Sequence, residues 1–302
     1  MRALAAYIMR GRLQAALVAV ACAFLSVFLP PLSYVAGGAM ALVALRHGGR
    51  EALQVMGLAL LGAAVLGFGL LGDPSRLLLL QGGFWLAVTG LALLLRLTVS
   101  LPLTLQGGAL LGVVAVVATY LAVGDVASFW QSALEAGFGP LLESAAAGPE
   151  VQALRDLLLA WAPRFTGLLA SAVLFSVVVS LLLARWWQSL LYNPGEFRVE
   201  FHGLRLDRRL GLALVLLLAA AGFGGGPLAG FAADLAMPLL MAFALAGIGL
   251  VHALAARAPN SGFWLVGFYV LLVVLQPLAL LVALAAVADS WLDIRRRTGR
   301  QA

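Results

Sequence analysis

Ionisable and amide side chains inside apolar runs are the residues whose chemistry needs explaining, because charge in hydrocarbon is costly and is kept for a purpose. Asp234, between the glycine-rich "GFGGGP" and "AMP", stands out. Either it faces an outward-opening cavity as a solute contact, or it belongs to a short outer-surface helix ending at Pro238. Gln106 and Gln276 are amides within apolar runs, able to bond across helices or to line a small-solute site. His252 reads as a bundle histidine satisfied by a neighbour, since no carboxylate or second histidine sits at ligand spacing. Asp289 and Asp293, four apart on one helical face, precede Arg295, Arg296 and Arg297. They pair among themselves at the headgroup layer, where arginines attract anionic lipid, or they meet a partner protein.

Other patterns argue against catalysis. "GFGGGP" lacks a preceding strand and completes neither GxxxxGK[ST] nor GxGxxG, so it reads as a flexible turn. Gly108 and Gly112 form one GxxxG, a signature of close helix packing. Neither HExxH nor GxSxG occurs, and no catalytic pair assembles by spacing. The chain is read as a non-enzyme with no catalytic residue, cofactor or metal site.

The elements that must position these residues follow from composition. Of 302 residues, 63% are apolar and 11% charged, and mean hydropathy is +1.05. Soluble domains carry about 25% charge, so the chain reads as an integral membrane protein whose first partner is the lipid bilayer. All nineteen basic residues are arginine, scattered at the ends of apolar runs, which fits topology signals rather than a nucleic-acid surface. The single cysteine, Cys22, excludes an internal disulfide and a multi-cysteine metal site. Arg2, Arg10 and Arg12 precede an apolar run as in a signal peptide, but no clear small-residue cleavage site follows, so an uncleaved first helix is expected.

Apolar segments fall at Leu13 to Leu29, Leu32 to Leu45, Ala52 to Leu71, Leu77 to Leu95, Leu101 to Val123, Phe165 to Ala184, Leu210 to Gly222, Met237 to Ala256 and Phe263 to Ala288. The expected fold is all-α, a polytopic transmembrane bundle of eight or nine segments, because lone strands in lipid leave their backbone groups unpaired. It forms one membrane domain: 1–123 holds the first five helices, 124–163 an extracytoplasmic insertion, 164–209 the sixth helix and a cytoplasmic loop, and 210–302 the remaining helices and a basic tail. Arginine placement puts the N-terminus, Arg46, Arg50, Arg96 and Arg257 in the cytoplasm. The 124–163 connection, with five acidic residues against Arg155, belongs outside, and there Glu150 to Trp161 reads as an amphipathic helix. Nine crossings would leave "RRRTGR" outside, so a last segment that dips in and returns at Gln276 and Pro277 would repair the rule.

The stretch "ARWWQSLLYNPGEFRVEFHGLRLDRR", Ala184 to Arg209, gathers much of the charge. Arg185, Trp186, Trp187 and Tyr192 are expected to anchor a helix end in the headgroup layer. "NPGE" suggests a short interfacial helix with Asn193 as N-cap and Pro194 in its first position, although "FRVEFHGLRL" also alternates like a hairpin. Arg198 and Arg205 would then face the cytoplasm as contacts for a partner, or serve orientation alone.

"ARWWQ", "LYNPG", "EF" and "LRL", with the ending "ADSWLDIRRR" from Ala288 to Arg297, resemble the YybS-like family of bacterial inner-membrane proteins, whose function is unassigned. That family is distantly similar to the substrate-binding membrane components of energy-coupling-factor vitamin importers and to a cell-shape membrane protein. The resemblance implies a solute-binding, transport-associated bundle working with other subunits, or a scaffold that recruits an envelope-assembly partner through its loop and tail.

Overall fold

The computed structural model describes residues 1–144, 148–275 and 277–297, with side chains at all of these but 70, 71, 138–144, 296 and 297. Gln276 and the side chains of Arg296 and Arg297, all singled out above, lie outside the described residues.

Apolar side chains leave the backbone to satisfy itself, and the chain does so by helix alone; no strand occurs among the described residues. The first half runs through α1 (Arg2–Ile8), α2 (Arg12–Leu25), α3 (Leu32–His47), α4 (Gly49–Leu71), α5 (Ser75–Thr98) and α6 (Leu101–Val123). Then come α7 (Val126–Ser144), α8 (Pro149–Trp161), a 3-10 turn (Ala162–Arg164), α9 (Phe165–Tyr192) and α10 (Glu196–His202). The chain closes with α11 (Arg208–Phe223), α12 (Gly226–Ala255), α13 (Ser261–Val274), α14 (Pro277–Leu292) and α15 (Ile294–Arg297).

Five helical stretches are long and apolar enough to cross a membrane: Gly49–Gly69, Ser75–Thr98, Leu101–Val123, Pro149–Tyr192 and Gly226–Ala255. The other expected segments are shorter. α2, α3, α11, α13 and α14 have 14 to 16 residues, and at 1.5 Å per residue they reach about 21–24 Å, less than the roughly 30 Å of a hydrocarbon core.

Packing explains how so short a helix as α3 can be central. Every residue from Ala36 to Leu45 is buried, as expected of a helix apolar on all sides. It lies against α9, α2 and α5, and small residues let it do so: a Cβ at Gly37 would meet the Ser180 side chain at 2.5 Å, and one at Gly38 the Trp187 ring at 3.2 Å. In the second half α12 is the hub, packed against α14, α11, α9 and α6. α12 also overturns an expectation. Instead of a surface helix ending at Pro238, one 30-residue helix runs straight through that proline.

The short loop helix is also built differently from its sequence reading. The residue before α10 is Gly195, with φ +94°, a left-handed conformation that glycine adopts without strain. Asn193 is not the cap; its Nδ2 donates to Glu196 Oε2 at 2.8 Å. Helix, not hairpin, is what forms over Glu196–His202.

Candidate functional site

Polar side chains concentrate at two places, the arginine-rich end of the bundle and a point within α12. At the arginine-rich end, Arg12 forms a bidentate pair with Glu51 at 2.6 Å, Arg96 Nη1 donates to the Leu45 carbonyl at 2.8 Å, and the Arg46 guanidinium lies 4.2 Å from the Tyr192 ring centroid. Arg185 is buried, donating from Nε to Glu200 Oε2 and from Nη1 to Gln188 Oε1, both at 2.8 Å, and from Nη2 to Glu200 Oε1. Arg96, Arg185, Gln188 and Glu200 line a cavity of about 180 Å³.

This corrects the expected ring of membrane anchors. Trp187 is fully buried against α3, its indole N–H without a hydrogen-bond partner, and Arg185 turns inward because Glu200 offers it a paired carboxylate there. Tyr192 is exposed and Trp186 only partly so.

The structure joins the loop to the tail, which spacing alone did not reveal. Arg295 Nη1 donates to the His202 carbonyl and Nη2 to the Leu204 carbonyl at 2.6 Å, while Nε lies 3.1 Å from Asp289 Oδ2. Those carbonyls close the C-terminal end of α10, where helix acceptors lack donors. Asp289 is 1% exposed, so its charge is neutralised by Arg295 inside the fold. Arg205 Nη1 pairs with Asp293 at 3.2 Å, and its Nη2 donates to the Ser290 carbonyl at 2.8 Å. Arg198 remains exposed. His252 bonds the Tyr269 hydroxyl through Nε2 at 2.8 Å and lies edge-on to Phe201. His202 comes within 6.2 Å of the His252 ring, and its burial, with Arg198, His252 and Arg295 nearby, holds it below the usual histidine range. Among the described residues no three His, Cys, Asp or Glu side chains gather where they could hold a metal ion.

The second place is Asp234. Its side chain is fully buried; Oδ2 accepts from the Tyr120 hydroxyl of α6 at 2.9 Å, and Oδ1 has no hydrogen-bond partner. Pro238 has no N–H to give the Asp234 carbonyl, which therefore lacks its usual helical donor. Two glycines make this packing possible. A Cβ at Gly167 of α9 would fall 2.7 Å from Asp234 Cα, and one at Gly112 of α6 would fall 2.8 Å from Pro238 Cβ. Gly108 is likewise pressed against Leu174 and Leu91, so the GxxxG works as close packing. The Phe231 ring lies over Tyr120 at 4.7 Å, and the Arg164 guanidinium sits over Gly230, one turn from Asp234.

α6 and α9, with α5 and α7, also line a half-open cavity of about 280 Å³. Its walls are apolar, with Leu91, Gly112, Val116, Ala170 and Val177 among them, and Trp130 of α7 closes one side by donating from Nε1 to Thr166 Oγ1 at 2.7 Å. Neither Asp234 nor Gln106 lines it. Gln106 is about 21 Å along α6 from Tyr120, the partner of Asp234, at 1.5 Å per residue, so the structure does not bring together Gln106 and Asp234, each read from the sequence as a possible solute contact. Tyr120, Arg164, Trp130 and Thr166 gave no signal in the sequence, since tyrosine and tryptophan near span ends are common there whatever they bond. Set against protein-family models, curated proteins and solved structures, the chain matches none of them.

Proposed function

We propose that this chain is a multi-pass protein of the bacterial inner membrane, of the YybS-like kind, that binds a small apolar solute and acts with other membrane subunits, without chemistry of its own. Five membrane-length helices support the setting. The arginine-rich end is cytoplasmic in this reading, with the N-terminus, because basic connections are retained inside. The segments beyond the five long helices then lie within the bundle or dip in and return, with α8 on the outer surface.

The cavity between α5, α6, α7 and α9 carries the solute reading. Its volume of about 280 Å³ is near the lower end of small-molecule sites, roughly 300–1,000 Å³, and its walls suit an apolar body, with Thr166 and Trp130 as the polar handle. Asp234, bonded to Tyr120, does not line this cavity and is not its solute contact. The test is native mass spectrometry of the full chain released from nanodiscs, comparing wild type with Ala170→Phe, which fills the cavity. Loss of a co-purifying small molecule in the variant is the expected result; identical small-molecule content would remove the reading.

A scaffold is the second reading, favoured by the fusion of α10 and the tail through Arg205, Asp289, Asp293 and Arg295 into one surface with Arg198 exposed on it. Cross-linking from residue 198 in intact cells would capture one defined protein if this reading holds and a scatter of neighbours if it does not.

A further inference from the structure

Asp234 poses a charge problem that the solute reading does not use. A carboxylate taken fully out of water needs a compensating positive charge or a set of donors. Asp234 has the Tyr120 hydroxyl on Oδ2, the Gly167 backbone N–H close to its carboxyl, and no hydrogen bond on Oδ1. Its own carbonyl, deprived of a donor by Pro238, adds negative potential rather than relieving it. The backbone contact at Gly167 closes the approach from α9. What Oδ1 lacks is a donor or a proton of its own, the nearest cation being the Arg164 guanidinium over Gly230.

We infer that Asp234 is a proton-exchange site within the bundle. In this proposal the proton resides on Oδ1, while Oδ2 accepts from Tyr120. On release the O–H bond breaks, the proton passes to water, and the carboxylate is left to pair with the Arg164 guanidinium, already charged and one helical turn away over Gly230. No electron moves and no co-reactant is needed. A metal cation is a poorer occupant, since the Tyr120 hydroxyl is the one side-chain group bonded to the carboxyl among the described residues, whereas such ions take about six oxygens.

The surroundings leave few competitors. From α6 the one titratable neighbour is Tyr120, and from the 3-10 turn it is Arg164. Residues 165–184 of α9, 210–223 of α11 and 277–288 of α14 carry no titratable side chain, and α12 carries none other before His252. Asp125, at the start of α7, is exposed and bonded to Ser128. The inference stands on Asp234 alone and does not require the solute cavity.

The test is an infrared titration of the full chain in nanodiscs, with carbon-13 aspartate, following the stretch of a protonated carboxyl. Wild type should show one buried protonated aspartate at neutral pH, absent in Asp234→Asn and kept in Asp289→Asn. Arg164→Ala, which leaves Asp234 in place, should raise the pH of its loss by a tenfold change in proton affinity or more. The inference fails if only carboxylate bands are present at neutral pH, or if Arg164→Ala leaves the midpoint where it was. It fails equally if sodium shifts the midpoint and choline does not, since a metal cation would then be the occupant.

Discussion

Arg185 and Glu200, fifteen residues apart, clasp each other through two parallel hydrogen bonds where α9 hands over to α10. The arginine side chain is 11% exposed and the glutamate 23%, so the pair is largely removed from water and each charge depends on the other. Glu196 adds a second, looser carboxylate at 3.4 Å.

Removing one member should therefore cost more than removing both. Glu200→Gln should lower the unfolding free energy by about 3 kcal/mol, and the double variant with Arg185→Met should recover much of that loss. Denaturant unfolding in micelles reads both. Equal losses in the single and double variants would contradict the picture. Arg185→Lys should not substitute, because an ammonium cannot make the two-pronged contact.

Arg295 ties the tail to the end of α10. With Arg295→Ala, the carbonyls of His202 and Leu204 lose their donors, and Asp289 is left as a buried anion. Hydrogen–deuterium exchange should rise over 199–206 and 289–295 together while α3 stays protected. Exchange rising in only one of the two segments would mean that they are not coupled.

Glycines on α12 and α13 should respond oppositely. A Cβ at Gly247 would lie 2.3 Å from the Val282 carbonyl, a backbone atom with no freedom to yield, so Gly247→Ala should cost about 1–3 kcal/mol by forcing α14 off α12. Gly267 in α13 has open space, and Gly267→Ala should be neutral or stabilising by up to about 1 kcal/mol. Melting temperatures of the two variants in one detergent decide the matter.

Stability should also fall in mild acid through His202. Its folded-state affinity for protons is held below the unfolded value by burial first, then by Arg198, His252 and Arg295. The unfolded chain thus binds the proton more readily, so stability is complete above about pH 6.5 and declines as pH falls below it. His202→Gln should flatten that decline between neutrality and mild acid; an unchanged pH profile would assign the sensitivity elsewhere.

Long apolar runs were legible from the sequence because hydropathy acts locally, and the break before Pro277 was legible because proline cannot continue the ladder. Local rules also erred locally. Asn193 has the chemistry of a cap, yet the left-handed turn at Gly195 starts α10 two residues later. Trp187 has the chemistry of an anchor, and which way its ring turns was decided by Gly38 on α3, more than a hundred residues earlier. The same limit applies to the site. Asp234 drew notice as an isolated charge, but Tyr120 lies 114 residues away and Arg295 lies 91 from Leu204. No period or motif encodes such meetings; they arise from how the helices pack.

The sheathing of α3 has a bearing on biogenesis. A sixteen-residue helix of about 24 Å is too short to span a hydrocarbon core of roughly 30 Å by itself, so α3 has no settled position as a lone helix among acyl chains. Its integration must wait for α5 and α9, which emerge from the ribosome well after it. Until then the early segments depend on the insertion machinery or on a chaperone to shelter them, which makes the nascent first half of the chain the stage most exposed to quality-control proteolysis.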